Sequence, residues 1–177
     1  MTCGRGCRNG PDPLFVEFDA YGPGDSAVLI ECVTEDPERA ASALRRVLAR
    51  HGGALGARGA VSYLFREVGV LRFEPIEDPG PLLAAAERAG AEDVRVAHGR
   101  GEVLTDPREL PAIRQRLQRD GFVAAYCGRS RRASSALRLS PADTGQLERL
   151  LRALSELSEV RSVYTNAEIP DQVLASL

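Results

Sequence analysis

The segment from Tyr21 to Phe65 constrains the fold more than any other part of this 177-residue chain. Ala27 to Val33 is almost wholly apolar, a pattern typical of a central strand that is buried on both faces. Asp36-Pro37 predicts a helix start, because the aspartate can accept hydrogen bonds from first-turn amides and proline fits the first helical position. Gly52-Gly53 predicts the helix end, since glycine permits a left-handed turn. A strand and a helix with defined ends are therefore expected here.

Further elements extend this pattern. Two strands, Val61 to Phe65 and Val70 to Phe73, are predicted around a turn at Glu67 to Gly69. Ser140-Pro141 predicts the start of a last helix, and Arg161 to Thr165 follows as a strand. The order is β-α-β-β-α-β, so the predicted class is α+β with a ferredoxin-like arrangement. The stripes expected to face the core are Ala40, Leu44, Val47 and Leu48 in the first helix and Leu147, Leu150, Leu151, Leu154 and Leu157 in the last.

The chain between these pieces predicts a second, inserted domain. Its expected elements are a helix from Pro81 to Ala89, strands near Val94 and Val103, a helix from Pro107 to Asp120 and a strand from Phe122 to Cys127. The predicted organisation is a discontinuous ferredoxin-like domain of residues 14–78 plus 138–177, interrupted by a small α/β domain of residues 79–137. Residues 1–13 combine glycine, proline and charge without periodicity, which predicts a disordered leader.

Bulk composition excludes several classes of protein. The net charge of −2 gives no overall field that would attract nucleic acid, so any such contact must come from a local patch. The chain has no run of about 18 apolar residues and no apolar signal segment near its start, so a cytoplasmic protein without a membrane span is expected. The four cysteines, Cys3, Cys7, Cys32 and Cys127, match no disulfide or zinc framework and are predicted to be free thiols.

No pattern of catalytic or cofactor-binding residues is present. The glycines from Gly52 to Gly59 could suggest a phosphate loop, but they follow a helix and lead into a strand, the reverse of the order in nucleotide-binding loops. His51 and His98 are the only histidines and lie in predicted turns, away from any recognised nucleophile or metal spacing. Acid pairs such as Glu92-Asp93 fall where a cap or a loop would place them. A non-enzymatic protein without a metal or cofactor is expected.

The segment from Gly128 to Leu139 is the one local charge anomaly. Residues 79–137 hold ten arginines against seven acidic residues, although the rest of the chain is net negative. Guanidinium groups can fork to phosphate and stack on bases, so this segment is a candidate nucleic-acid contact. The alternative is a solvated linker that returns the chain to the last helix. The candidate binding residues are Arg129, Arg131, Arg132 and Arg138.

Several short motifs occur here in an order that resembles the YebC family, over roughly Glu17 to the C-terminus. They are Tyr21-Gly22-Pro23-Gly24, Glu31-Cys32, Gly52-Gly53, Val61-Ser62-Tyr63-Leu64-Phe65, Ala89-Gly90-Ala91-Glu92-Asp93-Val94 and Val163-Tyr164-Thr165-Asn166-Ala167-Glu168-Ile169. The resemblance implies a domain interrupted by an inserted α/β domain. In the family a basic, helical N-terminal domain precedes this layout, and this chain resembles a short form without it. The family also carries a hydrophobic-Pro-Ser-Thr pattern where Arg131 to Ser135 stand here.

The resemblance implies a role in gene expression, since YebC-like proteins are described as DNA-binding transcriptional regulators and as translation factors acting at the ribosome. The first hypothesis is a non-catalytic factor that binds RNA or the ribosome through the arginine segment and modulates translation. The second is a DNA-binding transcriptional regulator. The third is a protein-interaction or small-molecule-sensing module that pairs with a full-length YebC-like relative.

Overall fold

The structure is a computed structural model that describes residues 13–168. The predicted leader, apart from Pro13, lies outside these residues, as does the chain from Ile169 onward. The strands are β1 (Leu14–Tyr21), β2 (Ala27–Thr34), β3 (Ala54–Leu55), β4 (Phe65–Phe73), β5 (Asp93–Ala97), β6 (Arg100–Thr105), β7 (Tyr126–Ala133) and β8 (Val160–Thr165). The helices are α1 (Pro37–Arg50), α2 (Pro79–Ala89), α3 (Leu110–Arg119) and α4 (Pro141–Ser155). The predicted α+β class is confirmed.

The chain divides into two compact units. The first contains residues 13–65 and 133–168, and the second contains residues 66–132. The sequence had suggested boundaries near residues 79 and 137. The difference arises because β4 and β7 both belong to the sheet of the second unit.

The first unit contains an antiparallel sheet in the order β3-β1-β2-β8. Helices α1 and α4 pack against one face of it, and the two predicted leucine-rich stripes supply the buried core. Val47 and Leu157 lie at the margin of this core. Its fully buried members are Ala20, Val28, Ile30, Cys32, Leu44, Leu48, Leu147, Leu150, Leu151 and Leu154.

The helix ends follow from the predicted capping chemistry. The Asp36 carboxylate accepts from the amides of Glu38 (3.1 Å) and Arg39 (3.0 Å), which otherwise have no partner in the first turn. Ser140 caps α4 in the same way, accepting from the Asp143 amide at 3.1 Å. Gly52 follows α1 with φ +73°, a conformation that L side chains rarely adopt. Both predicted helix starts and the α1 stop are confirmed.

The prediction of a strand from Val61 to Phe65 is wrong. The structure has a 3₁₀ turn at Ser62–Leu64 instead, and one uninterrupted strand, β4, replaces the two strands expected around a turn at Glu67 to Gly69. The buried carboxylate of Asp19 accepts hydrogen bonds from the amides of Val61 and Ser62, which are therefore not available for a sheet ladder. The ferredoxin-like arrangement expected in the first unit is consequently not found there.

The second unit contains the β-α-β-β-α-β order instead, as β4-α2-β5-β6-α3-β7. Its sheet has the strand order β5-β6-β4-β7, with β6 antiparallel to both of its neighbours. Gly69 lies within β4 because a side chain there would meet the Thr105 hydroxyl and Leu110. Helices α2 and α3 cover one face, where Leu71, Leu82, Val103, Ile113 and Leu117 are buried together with other apolar residues.

Candidate nucleic-acid interface

Strand β7 carries three of the four predicted arginines. The sequence suggested a strand ending at Cys127 and a loop after it, but the strand runs from Tyr126 to Ala133. Arg129, Arg131 and Arg132 are therefore on a strand at the end of the sheet order. An edge strand has a row of main-chain groups that no neighbouring strand of its own sheet satisfies, and charged side chains are common on such edges.

Arg132 is the most strongly engaged of these arginines. Its guanidinium pairs with the Glu102 carboxylate, and only 31% and 24% of the two side chains are exposed. Arg72 also donates to Glu102, at 3.3 Å, and its guanidinium carbon lies 5.3 Å from the centre of the Tyr126 ring. Arg132, Glu102, Arg72 and Tyr126 thus form one network on the sheet, in which Glu102 is shared by two cations. Binding of phosphate by Arg132 would compete with Glu102.

Arg129 is more accessible. Its nearest acid, Glu67, is 4.0 Å away, and both side chains are at least half exposed, so this pair stabilises the fold little. Arg131 is partly buried and is not a free cation. The fourth predicted arginine, Arg138, belongs to the first unit, where it donates to Glu168 at 3.0 Å. The structure therefore brings three of the predicted residues together on one strand and places the fourth in the other unit.

Helix α3 presents a second cationic surface, which the sequence analysis missed. Its buried side is formed by Leu110, Ile113 and Leu117, so the exposed face carries other residues. Within the described part of the chain, the arginines of this face and of the turn before it form no ion pair, unlike most arginines of the second unit. The exposed polar residues of this helix and turn are Arg108, Glu109, Arg114, Gln115, Arg116, Gln118 and Arg119. Counting charges separately for each face of the predicted helix would have revealed them.

The sheet of the second unit lacks the aromatic platform used by the RNA-recognition fold of the same element order. In that fold, aromatic side chains on central strands stack on bases. Here the face away from the helices carries Val68, Val70 and Leu104, all buried, on the two central strands β4 and β6. An exposed aromatic side chain on this face occurs at Tyr126, on the edge strand. The fold alone therefore does not indicate how RNA would bind.

The described residues contain little that suggests catalysis. No group of three or more His, Cys, Asp or Glu side chains among residues 13–168 could hold a metal ion. Cys32 and Cys127 are free. Burial, followed by the charge of Glu159, raises the pKa of the Cys32 thiol from 9.0 to about 11, so this thiol stays protonated at neutral pH and is a poor nucleophile. No helix in the described region is both long enough and apolar enough to cross a bilayer.

Comparisons with known proteins agree with the motif order. Residues 15–167 match the profile of a family described as the TACO1/YebC second and third domain. A protein from Dichelobacter nodosus named "Probable transcriptional regulatory protein" is 36% identical over 96% of this chain and 69% of its own length. A protein of the same name from Hahella chejuensis is 35% identical over 98% of this chain and 71% of its own length. The corresponding protein from Dictyoglomus turgidum is 32% identical, and this chain spans 66% of its length.

A solved structure supports the same relationship. The crystal structure of a conserved hypothetical protein from Aquifex aeolicus is 32% identical and superimposes with a TM-score of 0.85. The match covers 92% of this chain and 68% of that protein. Roughly a third of each of these relatives has no counterpart in this chain.

Proposed function

Because the chain belongs to the family of the second and third domains of TACO1/YebC proteins, we propose that it is a gene-expression factor that binds RNA, free or in the ribosome. In this proposal it modulates translation without catalysing a reaction. The observation that carries the proposal is strand β7, an edge strand that exposes Tyr126 on one face and the accessible Arg129 on the other, so that RNA lying along this edge of the sheet reaches both. Phosphate contacts from arginine and stacking on tyrosine are the two interactions with which proteins hold single-stranded RNA.

We expect the protein to act by binding alone, through arginines that hold the RNA backbone in one position. Arg129 is the most accessible cation of the strand and would make the first phosphate contact. The carboxylate of Glu102 holds Arg132 and Arg72 in fixed positions, so these guanidinium groups lose little conformational freedom when RNA binds. The small number of cations and the net charge of −2 predict a modest affinity with a shallow salt dependence, because each phosphate contact contributes only about 0.7 to the slope of log K against log salt. Binding would thereby favour one conformation of a larger assembly.

Substitution of two β7 arginines, the accessible Arg129 and the partly buried Arg131, tests this proposal. We expect Arg129→Ala and Arg131→Ala each to lower the slope of log K against log salt by about 0.7, the value for one lost contact to single-stranded phosphate. The measurement is fluorescence anisotropy with a labelled single-stranded RNA at several salt concentrations. Arg46→Ala, an exposed arginine on α1 of the first unit, is the matched control and should leave the slope unchanged. Unchanged RNA affinity in the double variant at every salt concentration would refute the role of β7.

A second candidate function is a transcriptional regulator that binds duplex DNA. The names of the relatives favour it, and so does the exposed face of α3. A helix fits the major groove, where arginine reads guanine and glutamine reads adenine. Arg114, Gln115, Gln118 and Arg119 are the residues that would do so.

This second candidate predicts a different response. If α3 contacts duplex DNA, Arg114→Ala and Arg119→Ala should each reduce the salt slope of duplex binding by about 0.9 and leave binding of single-stranded RNA unchanged. Arg88→Ala is the control in the same unit, because this guanidinium is already paired with Asp120 at 3.0 Å. Electrophoretic mobility shifts with duplex DNA and with RNA of the same sequence would distinguish the two functions. Equal duplex affinity in all three variants would exclude a role for α3.

A further inference from the structure

A buried aspartate holds the connection between β3 and β4 in a fixed conformation. Asp19 is 3% exposed, and its carboxylate accepts from the amides of Gly59 (2.9 Å), Val61 (2.9 Å) and Ser62 (2.6 Å). Its main-chain carbonyl accepts from the Gly56 amide at 2.8 Å. Asp19 thus fixes the main chain of residues 56–62. Only Ser62 of this segment belongs to a regular element, the 3₁₀ turn. We refer to residues 56–64 as the clasped loop.

The clasped loop exposes one aromatic side chain. Tyr63 is 75% exposed, the highest value among the large hydrophobic side chains of the described residues. The residues around it point inward: Val61 and Phe65 are buried, and Leu64 packs against the same cluster. The tyrosine is therefore anchored on both sides, and its main chain has little freedom to retract the ring from water.

The clasped loop carries a positive charge. Residues 56–64 contain the exposed Arg58 and no acidic residue. Asp19, whose carboxylate holds the loop, is buried. A polyanion can therefore approach the ring without repulsion from a neighbouring carboxylate within the loop.

The small size of the exposed surface indicates the occupant. Apart from Tyr63, the exposed residues of the loop are Ala57, Arg58 and Gly59. A stable protein partner typically buries about 800 Å² on each side, far more than one ring, one arginine and two small residues supply. A single nucleobase needs only one face of one ring, and a phosphate needs only one nearby guanidinium.

We propose that the clasped loop is a base-stacking site, in which Tyr63 stacks on one unpaired base of single-stranded RNA and Arg58 contacts a phosphate of the same strand. This inference rests on the proposed RNA-binding function and assigns it a second contact, in the first unit. Because the hydrogen bonds to Asp19 fix the loop before RNA arrives, binding does not have to order it.

The absence of tryptophan from the chain makes the proposal directly testable. The Tyr63→Trp variant has a single indole, whose fluorescence should be quenched when a 12-nucleotide oligouridine or oligoadenylate binds and stacks on it. Leu83→Trp, at an exposed position on α2 of the second unit, is the control and should not be quenched. The same labelled oligonucleotides, followed by anisotropy, give the affinity independently of the indole signal.

Affinity measurements complete the test. Tyr63→Ala should weaken binding of the oligonucleotide by about 5- to 150-fold, whereas Tyr63→Phe, which keeps the ring, should bind as the unsubstituted chain does. Normal binding by Tyr63→Ala together with an unquenched indole at position 63 would overturn the stacking site while leaving the proposed RNA-binding function intact. Equal quenching in the Tyr63→Trp and Leu83→Trp variants would also overturn it. If no variant and not even the unsubstituted chain bound RNA, both proposals would fall.

Discussion

Replacing Asp19 with alanine is expected to lower the free energy of unfolding of the first unit by ~3–5 kcal/mol, because three main-chain amides lose their acceptor at once. Asp19 is almost completely buried, and each unsatisfied buried donor costs ~1–3 kcal/mol. Water reaching the cavity left by the carboxylate would recover part of this loss. Urea denaturation, followed by circular dichroism and by hydrogen exchange of residues 14–34, measures the effect.

The Asp19→Asn variant separates hydrogen bonding from side-chain volume. The asparagine oxygen can replace Oδ1, which accepts from Val61 and Ser62, but its amide group then faces the Gly59 amide as a second donor. We expect an intermediate loss of ~1–3 kcal/mol. A loss below ~1 kcal/mol in Asp19→Ala would show that the aspartate does not fix the clasped loop.

Replacing Leu82 with alanine should cost ~2–5 kcal/mol, the range for a fully buried leucine whose removal leaves a cavity. Leu82 lies on α2 and packs over Gly101 of β6, where a side chain on the glycine would collide with the leucine methyl. This contact joins α2 to the sheet of the second unit. Thermal or urea unfolding measures the loss.

The neighbouring residue provides the matched control. Leu83 is on the same helix but is 43% exposed, so Leu83→Ala should cost less than ~1 kcal/mol. The two variants remove the same atoms and differ only in what surrounds them. Similar losses in both would contradict the described packing of α2.

Local chemistry was enough to predict the helices of the first unit. The Asp36 and Ser140 caps and the leucine stripes of α1 and α4 depend on residues within one or two turns of each other. These signals are short-range, so the surrounding fold changes them little. The same applies to the turn that Gly52 permits after α1.

The loop before β4 could not be predicted because a distant residue determines its structure. Val61 to Phe65 has the composition of a strand, but Asp19, more than 40 residues earlier in the chain, takes up the amides that a strand would need. Likewise, Gly69 suggested a turn, although it is required by the packing of Leu110 against β4. Because of these two wrong predictions, the β-α-β-β-α-β order was expected in the first unit, whereas it occurs in the second.

The candidate site was predicted in composition and not in geometry. The sequence located the arginines of β7, but it could not show that Arg132 is held by Glu102, a partner 30 residues away, or that Arg138 lies in the other unit. It also treated the arginines of α3 only as part of a total charge. Which cations are accessible depends on pairing between elements, which a linear charge count does not contain.

The discontinuity of the first unit has a consequence for the order in which the chain can fold during its synthesis. The second unit uses contiguous residues, 66–132, and all of its strands and helices exist once that stretch has emerged. Strand β2 then still lacks its neighbour β8. In addition, four of the ten buried residues in the core of the first unit come from α4, which lies later in the chain. Nascent-chain folding is therefore expected to begin with the second unit, and strands β1 and β2 remain an open, aggregation-prone sheet until α4 and β8 have been synthesised.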